Sequence, residues 1–411
     1  MSIEWIFTRR AELCRLKQGS LQRYLDLYVE RLAESGYGRE RIRRRLWCVS
    51  HLSKYMEEKQ ISTSDLDERV AAAFLSVRSR YGRIDKADGI ATREFLAMLR
   101  ETGICSPPSR IESAKKLLLE EFRQHLVQNR GLATKTVDRH LSVARQLHDW
   151  SEARISQWSE LTPDHIVDFV ERHVDGWAPR SISTFYDSVR TLCRYLRLRG
   201  DSTDDLTRRL PRIARWRDST LPRSLPYHDV QRVLDHCDHG TAMGRRDYAI
   251  LTTLACLGLR ACEVVALKLE DIDWHAGLLH LPRTKSGCAA TLPLPDAVGK
   301  AISSYLHNGR PRSDSRNVFL RSVAPYRELG SSSSIVDIVH SALRRANVQA
   351  PRGAAHLFRH GLATRMLDNG ASLRLIGELL RHQHPDTTRV YAKVDVQRLR
   401  SLALPWPGDA P

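Results

Sequence analysis

The chain has 411 residues, which is enough for two to four domains at roughly 100–200 residues each. It is 42% hydrophobic and 27% charged, a balance that excludes wholesale disorder and allows buried cores. Its 65 Lys and Arg against 48 Asp and Glu give a net charge of +17. Such an excess favours a polyanionic partner, most often nucleic acid. A basic surface without a specific partner is the simpler alternative.

Membrane, secreted and zinc-ribbon proteins are all disfavoured by the sequence. The longest apolar run, residues 70–75, is far shorter than the roughly 18 residues of a membrane span. The first six residues lack the basic start and apolar stretch of a signal peptide. The eight cysteines form no Cys-x-x-Cys pair, which argues against a zinc ribbon or a disulfide framework. We therefore expect reduced thiols and a cytoplasmic protein.

Residues 1–105 are predicted to form an N-terminal helical domain. Apolar residues recur there at helical spacing, and the second long helix begins with a cluster of arginines. The same pattern returns 95 residues later and pairs Ile42 with Val137, Arg44 with Arg139, Leu46 with Leu141, Leu52 with Leu147, Tyr55 with Trp150, Leu66 with Leu161 and Phe74 with Phe169. One offset without gaps predicts a duplicated helical module. A chance alignment of amphipathic helices is the alternative.

The rest of the chain divides into four predicted parts. Residues 112–200 form the second helical module, and the Pro- and Arg-rich residues 201–226 are a predicted linker. Residues 227–404 combine helices with a short β-hairpin, and 405–411 form a tail. The predicted fold class is therefore mainly α with a small β-sheet.

Two segments of the third part carry a candidate catalytic cation each. Residues 258–263 read Gly-Leu-Arg-Ala-Cys-Glu, which places Arg260 one helical turn from Glu263. Alone, such a pair is usually a surface ion pair. Lys285 lies in the turn of the predicted hairpin over 278–294, where a lysine is usually just solvated.

Two further segments contain histidines, an arginine and a tyrosine. His356 and Arg359 lie three residues apart on a predicted helix. His382 follows Arg359 by 23 residues, and Tyr391 follows His382 by nine. Each pair is unremarkable by itself, but their order and spacing along one domain are specific.

Together these segments resemble the tyrosine recombinase, or phage integrase, family over roughly residues 112–404. The family's ordered signature is matched here by Arg260, Lys285, His356, Arg359, His382 and Tyr391. One position departs from the pattern, because Arg381 stands where the family often has glycine before the second histidine. His384 adds another imidazole nearby, and spacing favours His382. The length and the Pro-Trp-Pro ending resemble integrases of mobile elements.

The resemblance implies that Tyr391 attacks DNA and forms a 3′-phosphotyrosine, which the 5′-hydroxyl of a partner strand then attacks. Two such strand exchanges need neither ATP nor metal, so no cofactor is predicted. Guanidiniums can stabilise charge on the phosphate in the transition state, and histidines can transfer the tyrosine proton. Lys285 is the expected general acid for the departing 5′-oxygen, and Glu263 is expected to orient Arg260.

The resemblance also implies helical core-binding (SAM-like) and catalytic domains that grip double-stranded DNA as a C-shaped clamp. Candidate phosphate contacts are Lys135, Arg139, Arg145, Arg180 and Arg190. Residues 1–105 lie outside the two domains of the minimal family architecture. They are candidates to hold arm DNA, to extend the clamp or to contact another protomer. The segment after Tyr391 is expected to dock on a neighbouring protomer in a nucleoid-associated tetramer; packing on its own domain is the alternative. Accessory recombinases are further candidate partners.

Three rival functions use the same residues. A metal-dependent hydrolase could use His356 and His360, which have the i, i+4 spacing of zinc ligands, although no His-Glu-x-x-His motif is present. A non-catalytic DNA-binding protein could retain the fold. A type IB topoisomerase would share the nicking chemistry without strand exchange.

Overall fold

The computed structural model describes residues 3–7, 10–16, 19–81, 86–105, 114–151, 154–155, 157–202, 205–211, 224–282, 289–350 and 354–391. It is mainly helical with one small antiparallel sheet, so the predicted fold class is confirmed. The chain forms two compact units: Arg110–Ser219, and Met1–Ser109 together with Thr220–Pro411. No helix in the described part is long and apolar enough to cross a membrane.

The N-terminal part of the larger unit is a helical bundle. Its helices are α1 (Ile3–Ile6), α2 (Arg10–Leu16), α3 (Leu25–Glu34), α4 (Arg39–Glu58), α5 (Glu68–Tyr81) and α6 (Lys86–Glu101). Tyr28 lies at the centre of this bundle, with its ring 5.1 Å from that of Phe95 in an edge-to-face contact. The Tyr28 hydroxyl donates to the carbonyl of Ala91 at 3.2 Å, so burying this polar group is compensated.

A loop from the C-terminal part packs against the N-terminal bundle. Ala324 is buried in the bundle's core, and the ring of Tyr326 packs beside it. Gly36 permits this contact because a Cβ there would lie 2.5 Å from Cδ2 of Tyr326. Its φ of +80° also lies in the region that favours glycine. Residues far apart in sequence therefore share one core.

The smaller unit contains the second helical module. Its helices are α7 (Ala114–Gln124), which continues as a π-turn at His125–Asn129, α8 (Thr134–Ser151), α9 (Pro163–Val174) and α10 (Pro179–Arg199). The start of α9 is capped by Thr162, whose hydroxyl accepts from the backbone of His165.

The two helical modules repeat the same elements at the predicted offset. Helices α8 and α9 begin 95 residues after α4 and α5, and short 3-10 turns occur at Thr63–Asp65 and Trp158–Glu160. All but one of the sequence-matched apolar positions are buried in both modules, and Tyr55 is partly buried where Trp150 is buried. The repeat thus extends to structure, and a common origin by duplication stays a prediction.

The predicted linker is structured at both ends. Leu206 and Leu210 are buried in the core of the second module, which therefore continues beyond residue 200. Leu225 is buried in the core of the C-terminal part. Residues 212–223 lie outside the described residues.

The C-terminal part of the larger unit, residues 224–391 as described, surrounds α12 with other helices. They are α11 (Tyr227–Asp235), α12 (Ala242–Leu257), α13 (Ala261–Ala266), α14 (Asp296–Asn308), α15 (Ser332–Arg345), α16 (Ala354–Asp368), α17 (Leu373–Leu380) and α18 (Asp386–Arg389). The sheet has the order β1 (Ile272–Asp273), β2 (Leu278–Leu281), β3 (Ala290–Pro293), all antiparallel. Strands β2 and β3 form the predicted hairpin, whereas β1 is too short to have been recognised from the sequence.

Candidate active site

The C-terminal part brings four helix ends together around one buried tyrosine. Helix α12 ends before Gly258, and Arg260 immediately precedes α13. Helix α16 carries His356 and, one turn later, Arg359 and His360. Helix α17 ends at Leu380, directly before Arg381, and α18 leads toward Tyr391.

Glu263 holds the guanidinium of Arg260. Its Oε2 accepts from the Arg260 backbone N–H at 2.8 Å, and its Oε1 accepts from Arg260 Nη1 at 2.9 Å. The Glu263 side chain is buried, so this ion pair is shielded from the solvent that weakens surface pairs. These contacts are those of a residue that orients Arg260, as expected from the sequence.

Arg381 joins the same carboxylate from the other side. Its Nη2 donates to Oε2 of Glu263 at 2.6 Å, and its carbonyl accepts from Nη2 of Arg260 at 3.3 Å. Arg381 has a φ of +56°, the left-handed conformation that explains why glycine suits this position. The ion pair offsets that backbone cost. Its Nη1 is buried and has no hydrogen-bond partner among the described residues.

Arg359 is almost completely buried, with 4% of its surface exposed. Nη1 donates to the carbonyl of Gly258 at 2.6 Å, and Nη2 donates to the carbonyl of Leu380. Burial, followed by the charges of Arg260 and Arg381, lowers the pKa of Arg359 to about 10. It therefore stays charged at neutral pH and its orientation is fixed by the backbone.

Tyr391 lies against the imidazole of His360. The Tyr391 hydroxyl is 2.7 Å from Nδ1 of His360, and the tyrosine is 1% exposed. Burial raises the pKa of Tyr391 to about 12, although Arg359 acts in the opposite direction. Burial, with His356 and Arg359, lowers the pKa of His360 to about 4, so this imidazole is neutral at pH 7. A neutral imidazole nitrogen can accept the hydroxyl proton.

His382 lies on the other side of the tyrosine ring. The two rings are nearly parallel at 7°, with centroids 6.4 Å apart. His382 Nδ1 is 2.7 Å from the hydroxyl of Thr388, which fixes the ring orientation. Burial and the charge of Arg359 are the largest causes that lower the pKa of His382 to about 4.

The remaining predicted site residues differ in placement. His356 is exposed, with its ring centroid 6.2 Å from that of His360, so it lies at the rim and does not share the burial of Arg359. His384 is exposed, and His382 is the imidazole packed near Tyr391. Lys285 lies outside the described residues.

The candidate phosphate contacts of the second module fall into two groups. Lys135, Arg139, Arg145 and Arg180 are exposed. Arg190 instead donates from Nη2 to the carbonyls of Leu210 and Pro211, at 3.3 and 2.8 Å. These bonds favour a structural role for Arg190, because its side chain holds the backbone of the segment that follows α10.

Sequence reasoning missed His360 as a partner of Tyr391. His360 follows Arg359 directly and was considered only as a zinc ligand with His356. The metal-hydrolase interpretation gave His360 a ligand role, whereas the structure places its Nδ1 at hydrogen-bonding distance from Tyr391. The usable signal was its position one helical turn from His356, which places both on neighbouring turns of α16.

The sequence matches the Phage integrase family over residues 223–398 and its N-terminal SAM-like domain over 119–200. It is 38% identical to "Putative integrase/recombinase y4rA" of Sinorhizobium fredii over 97% of both chains. The chain belongs to the phage integrase family. It is also 29% identical to tyrosine recombinase XerD of Listeria monocytogenes over 69% of this chain and 96% of XerD. The predicted resemblance is therefore confirmed, and this tyrosine recombinase is a site-specific DNA recombinase by family.

A solved lambda integrase tetramer bound to a Holliday junction shares the recombinase fold. The match has a TM-score of 0.52 at 15% identity and covers 75% of this chain and 87% of that one. At 15% identity, this match shows that the two proteins share a fold and shows nothing further.

Proposed function

We propose that this recombinase cuts DNA with Tyr391 and rejoins it through a 3′-phosphotyrosine intermediate. The observation that carries the proposal is a tyrosine hydroxyl 2.7 Å from a neutral imidazole and beside a buried guanidinium. A nucleophile, a proton acceptor and fixed cations are what metal-free transesterification at a phosphate requires. A type IB topoisomerase would use the same groups, but the similar proteins are named as integrases and recombinases, which favours recombination.

The first step cuts one phosphodiester. The Tyr391 oxygen bonds to phosphorus as its proton passes to Nδ1 of His360. The bond from phosphorus to the 5′-oxygen breaks, and that oxygen takes a proton from a general acid, for which Lys285 is the candidate. Arg260 and Arg359 stabilise the charge on the non-bridging oxygens, and His356 and His382 are candidate donors to the same phosphate. Attack by a partner strand's 5′-hydroxyl reverses these transfers.

We also propose how the protein binds DNA, assembles and acts in the cell. The exposed Lys135, Arg139, Arg145 and Arg180 contact phosphates of double-stranded DNA. The active assembly is a tetramer on synapsed sites, in the cytoplasm at the nucleoid, and it serves transposition or integration of a mobile element. The solved lambda integrase of the same fold is a tetramer bound to a Holliday junction, and we propose a corresponding assembly here. Accessory recombinases are candidate partners.

The test is covalent trapping on nicked suicide substrates made from the DNA that flanks the gene, with chelator present. We expect an adduct that survives denaturation and maps to Tyr391. Tyr391→Phe should bind the same DNA and form no adduct, because the attacking oxygen is missing.

Tyr248→Phe is the matched control, since it removes a hydroxyl from the same part of the chain outside the cluster. It should form adduct like the wild type. An adduct retained by Tyr391→Phe, or one mapped to another residue, would overturn the proposal. Loss of the wild-type adduct on adding chelator would instead favour a metal-dependent reaction.

A further inference from the structure

A second arginine-rich region lies within the larger unit and shares no residue with the Tyr391 cluster. It is a cleft of about 970 Å³ between helices α4 and α6 and the loop that carries Ala324. Among the described residues, seven guanidiniums and two carboxylates line it, which leaves an excess of five positive charges. None of these described lining residues is a histidine.

Both carboxylates of the cleft are already paired. Glu94 Oε2 lies 2.6 Å from Nη1 of Arg45, and Asp88 Oδ2 lies 2.8 Å from Nε of Arg78. In the described part of the chain, five other lining arginines form no ion pair: Arg41, Arg44, Arg93, Arg321 and Arg327. The uncompensated charge of the cleft therefore belongs to these five side chains.

These arginines come from opposite walls. Arg41, Arg44 and Arg45 lie at i, i+3 and i+4 of α4 and so share one face of the helix. The backbone N–H of Arg321 donates to the carbonyl of Arg327 at 2.9 Å, which holds the opposite wall together. That wall is fixed to the bundle by Tyr326, whose ring packs against Gly36. The cleft is thus built by tertiary packing rather than by one charged helix.

Five guanidiniums without ion pairs around one cleft match a polymer of phosphates better than a single small anion. Arginine binds phosphate through a planar pair of N–H donors, and arginines without an ion pair give up no carboxylate on binding. Mutual repulsion of five uncompensated cations is also relieved by a polyanion. We propose that this cleft binds the phosphodiester backbone of double-stranded DNA, in addition to the phosphate held at Tyr391.

The inference rests on the proposed function, which makes DNA the substrate, and it adds a second contact surface. It gives residues 1–105 a role, because α4 and α6 supply most of the cleft. It also predicts that affinity and chemistry are separable, since the cleft has no residue in the Tyr391 cluster.

The test uses the full chain with three cleft substitutions, Arg41→Ala, Arg44→Ala and Arg327→Ala. A control triple variant, Arg23→Ala, Lys54→Ala and Lys59→Ala, removes the same charge from exposed positions of the bundle outside the cleft. Binding of a fluorescent random-sequence duplex of about 30 base pairs, three helical turns, is followed by anisotropy across a salt series.

We expect the cleft variant to bind at least about tenfold more weakly at low salt and to lose about 2–3 from the slope of log K against log salt, at about 0.9 per phosphate contact. The control variant should keep the wild-type slope. At saturating protein, the cleft variant should still form the Tyr391 adduct on the suicide substrate. Absence of that adduct in the wild type would count against the proposed function and not against the cleft.

Two outcomes would overturn the inference. An equal loss of affinity in both triple variants would show that only net charge matters. Wild-type affinity and slope in the cleft variant would show that the cleft does not bind duplex. If that variant also lost self-association in sedimentation, the cleft would bind an acidic surface of a second copy instead. Circular dichroism checks that each variant is folded.

Discussion

The two arginine-rich regions of the larger unit use the same side chain in opposite ways. At the Tyr391 cluster, Arg359 is 4% exposed and donates to two backbone carbonyls, and Arg260 and Arg381 share the buried Glu263. In the cleft, Arg44 is exposed and has no ion pair in the described part. A buried guanidinium with fixed donors provides geometry for one phosphate, whereas exposed ones provide affinity that salt can screen.

The most direct test of this difference between the two regions is to remove one arginine from each and to compare the effects. Arg359→Ala should slow adduct formation by at least about 10²-fold, because it removes fixed charge beside the attacked phosphate. It should also lower the free energy of unfolding by about 1–3 kcal/mol, since two buried carbonyls lose their donor. Single-turnover trapping and urea unfolding measure these two effects.

Arg44→Ala is the matched variant from the cleft. It should leave the single-turnover rate at saturation unchanged and alter the free energy of unfolding by less than about 0.5 kcal/mol. A comparable fall in rate for both variants would show that burial does not separate the two roles. Arg359→Lys, which keeps the charge without the planar pair of donors, should remain slow.

Substitution of two glycines tests how much the packing of Tyr326 contributes to the stability of the larger unit and to the cleft. Gly36 and Gly131 occupy equivalent positions 95 residues apart, with φ of +80° and +57°. A Cβ at Gly36 would collide with Tyr326, whereas nothing lies within 4 Å of one at Gly131. Gly36→Ala should therefore destabilise its unit by about 1–3 kcal/mol more than Gly131→Ala destabilises the other.

Calorimetry can assign each loss to its own unit. Gly36→Ala should also weaken duplex binding, because displacement of Tyr326 moves the wall that carries Arg321 and Arg327. Gly131→Ala should show only the backbone cost, about 1–2 kcal/mol. Equal losses would mean that the Tyr326 contact contributes nothing to the larger unit.

The smallest expected effect is a pH dependence of the free energy of unfolding to which His360 of the Tyr391 cluster contributes. The folded pKa of His360 is lowered to about 4, below its ordinary value of 6.5, by burial, His356 and Arg359. Between these values the unfolded chain binds more protons than the folded one, so the free energy of unfolding should fall as pH is lowered from 6.5 toward 4.

His360→Gln should make that pH dependence shallower, as measured by urea unfolding at pH 7 and pH 5. His382, whose pKa is lowered to about 4 in the same way, retains part of the slope. The cleft has no lining histidine, so its three arginine substitutions should leave the slope unchanged. If His360→Gln left the pH dependence of the free energy of unfolding unaltered, His360 would not be the group that takes up the proton.

Several features were predictable because they depend on local pattern. Helical periodicity indicated the bundles, and the 95-residue offset reappears in the starts of α4 and α8. The hairpin was recognised from two short apolar runs. The linker was misjudged in part, because Leu206 and Leu210 pack on a core that no local signal identifies. The partners of Arg190 were not predictable either, since only the folded chain brings Leu210 and Pro211 to it.

The sequence by itself determined the family, the mainly helical fold and the order of the signature residues. Those properties follow from residue types at fixed spacing, which is local information. Only the tertiary structure decided that His360 is the partner of Tyr391 and that Arg359 is held by Gly258 and Leu380. It also decided that α4 and a loop about 280 residues later enclose one basic cleft. Burial and long-range contact depend on how distant segments pack, and spacing along one chain does not specify that.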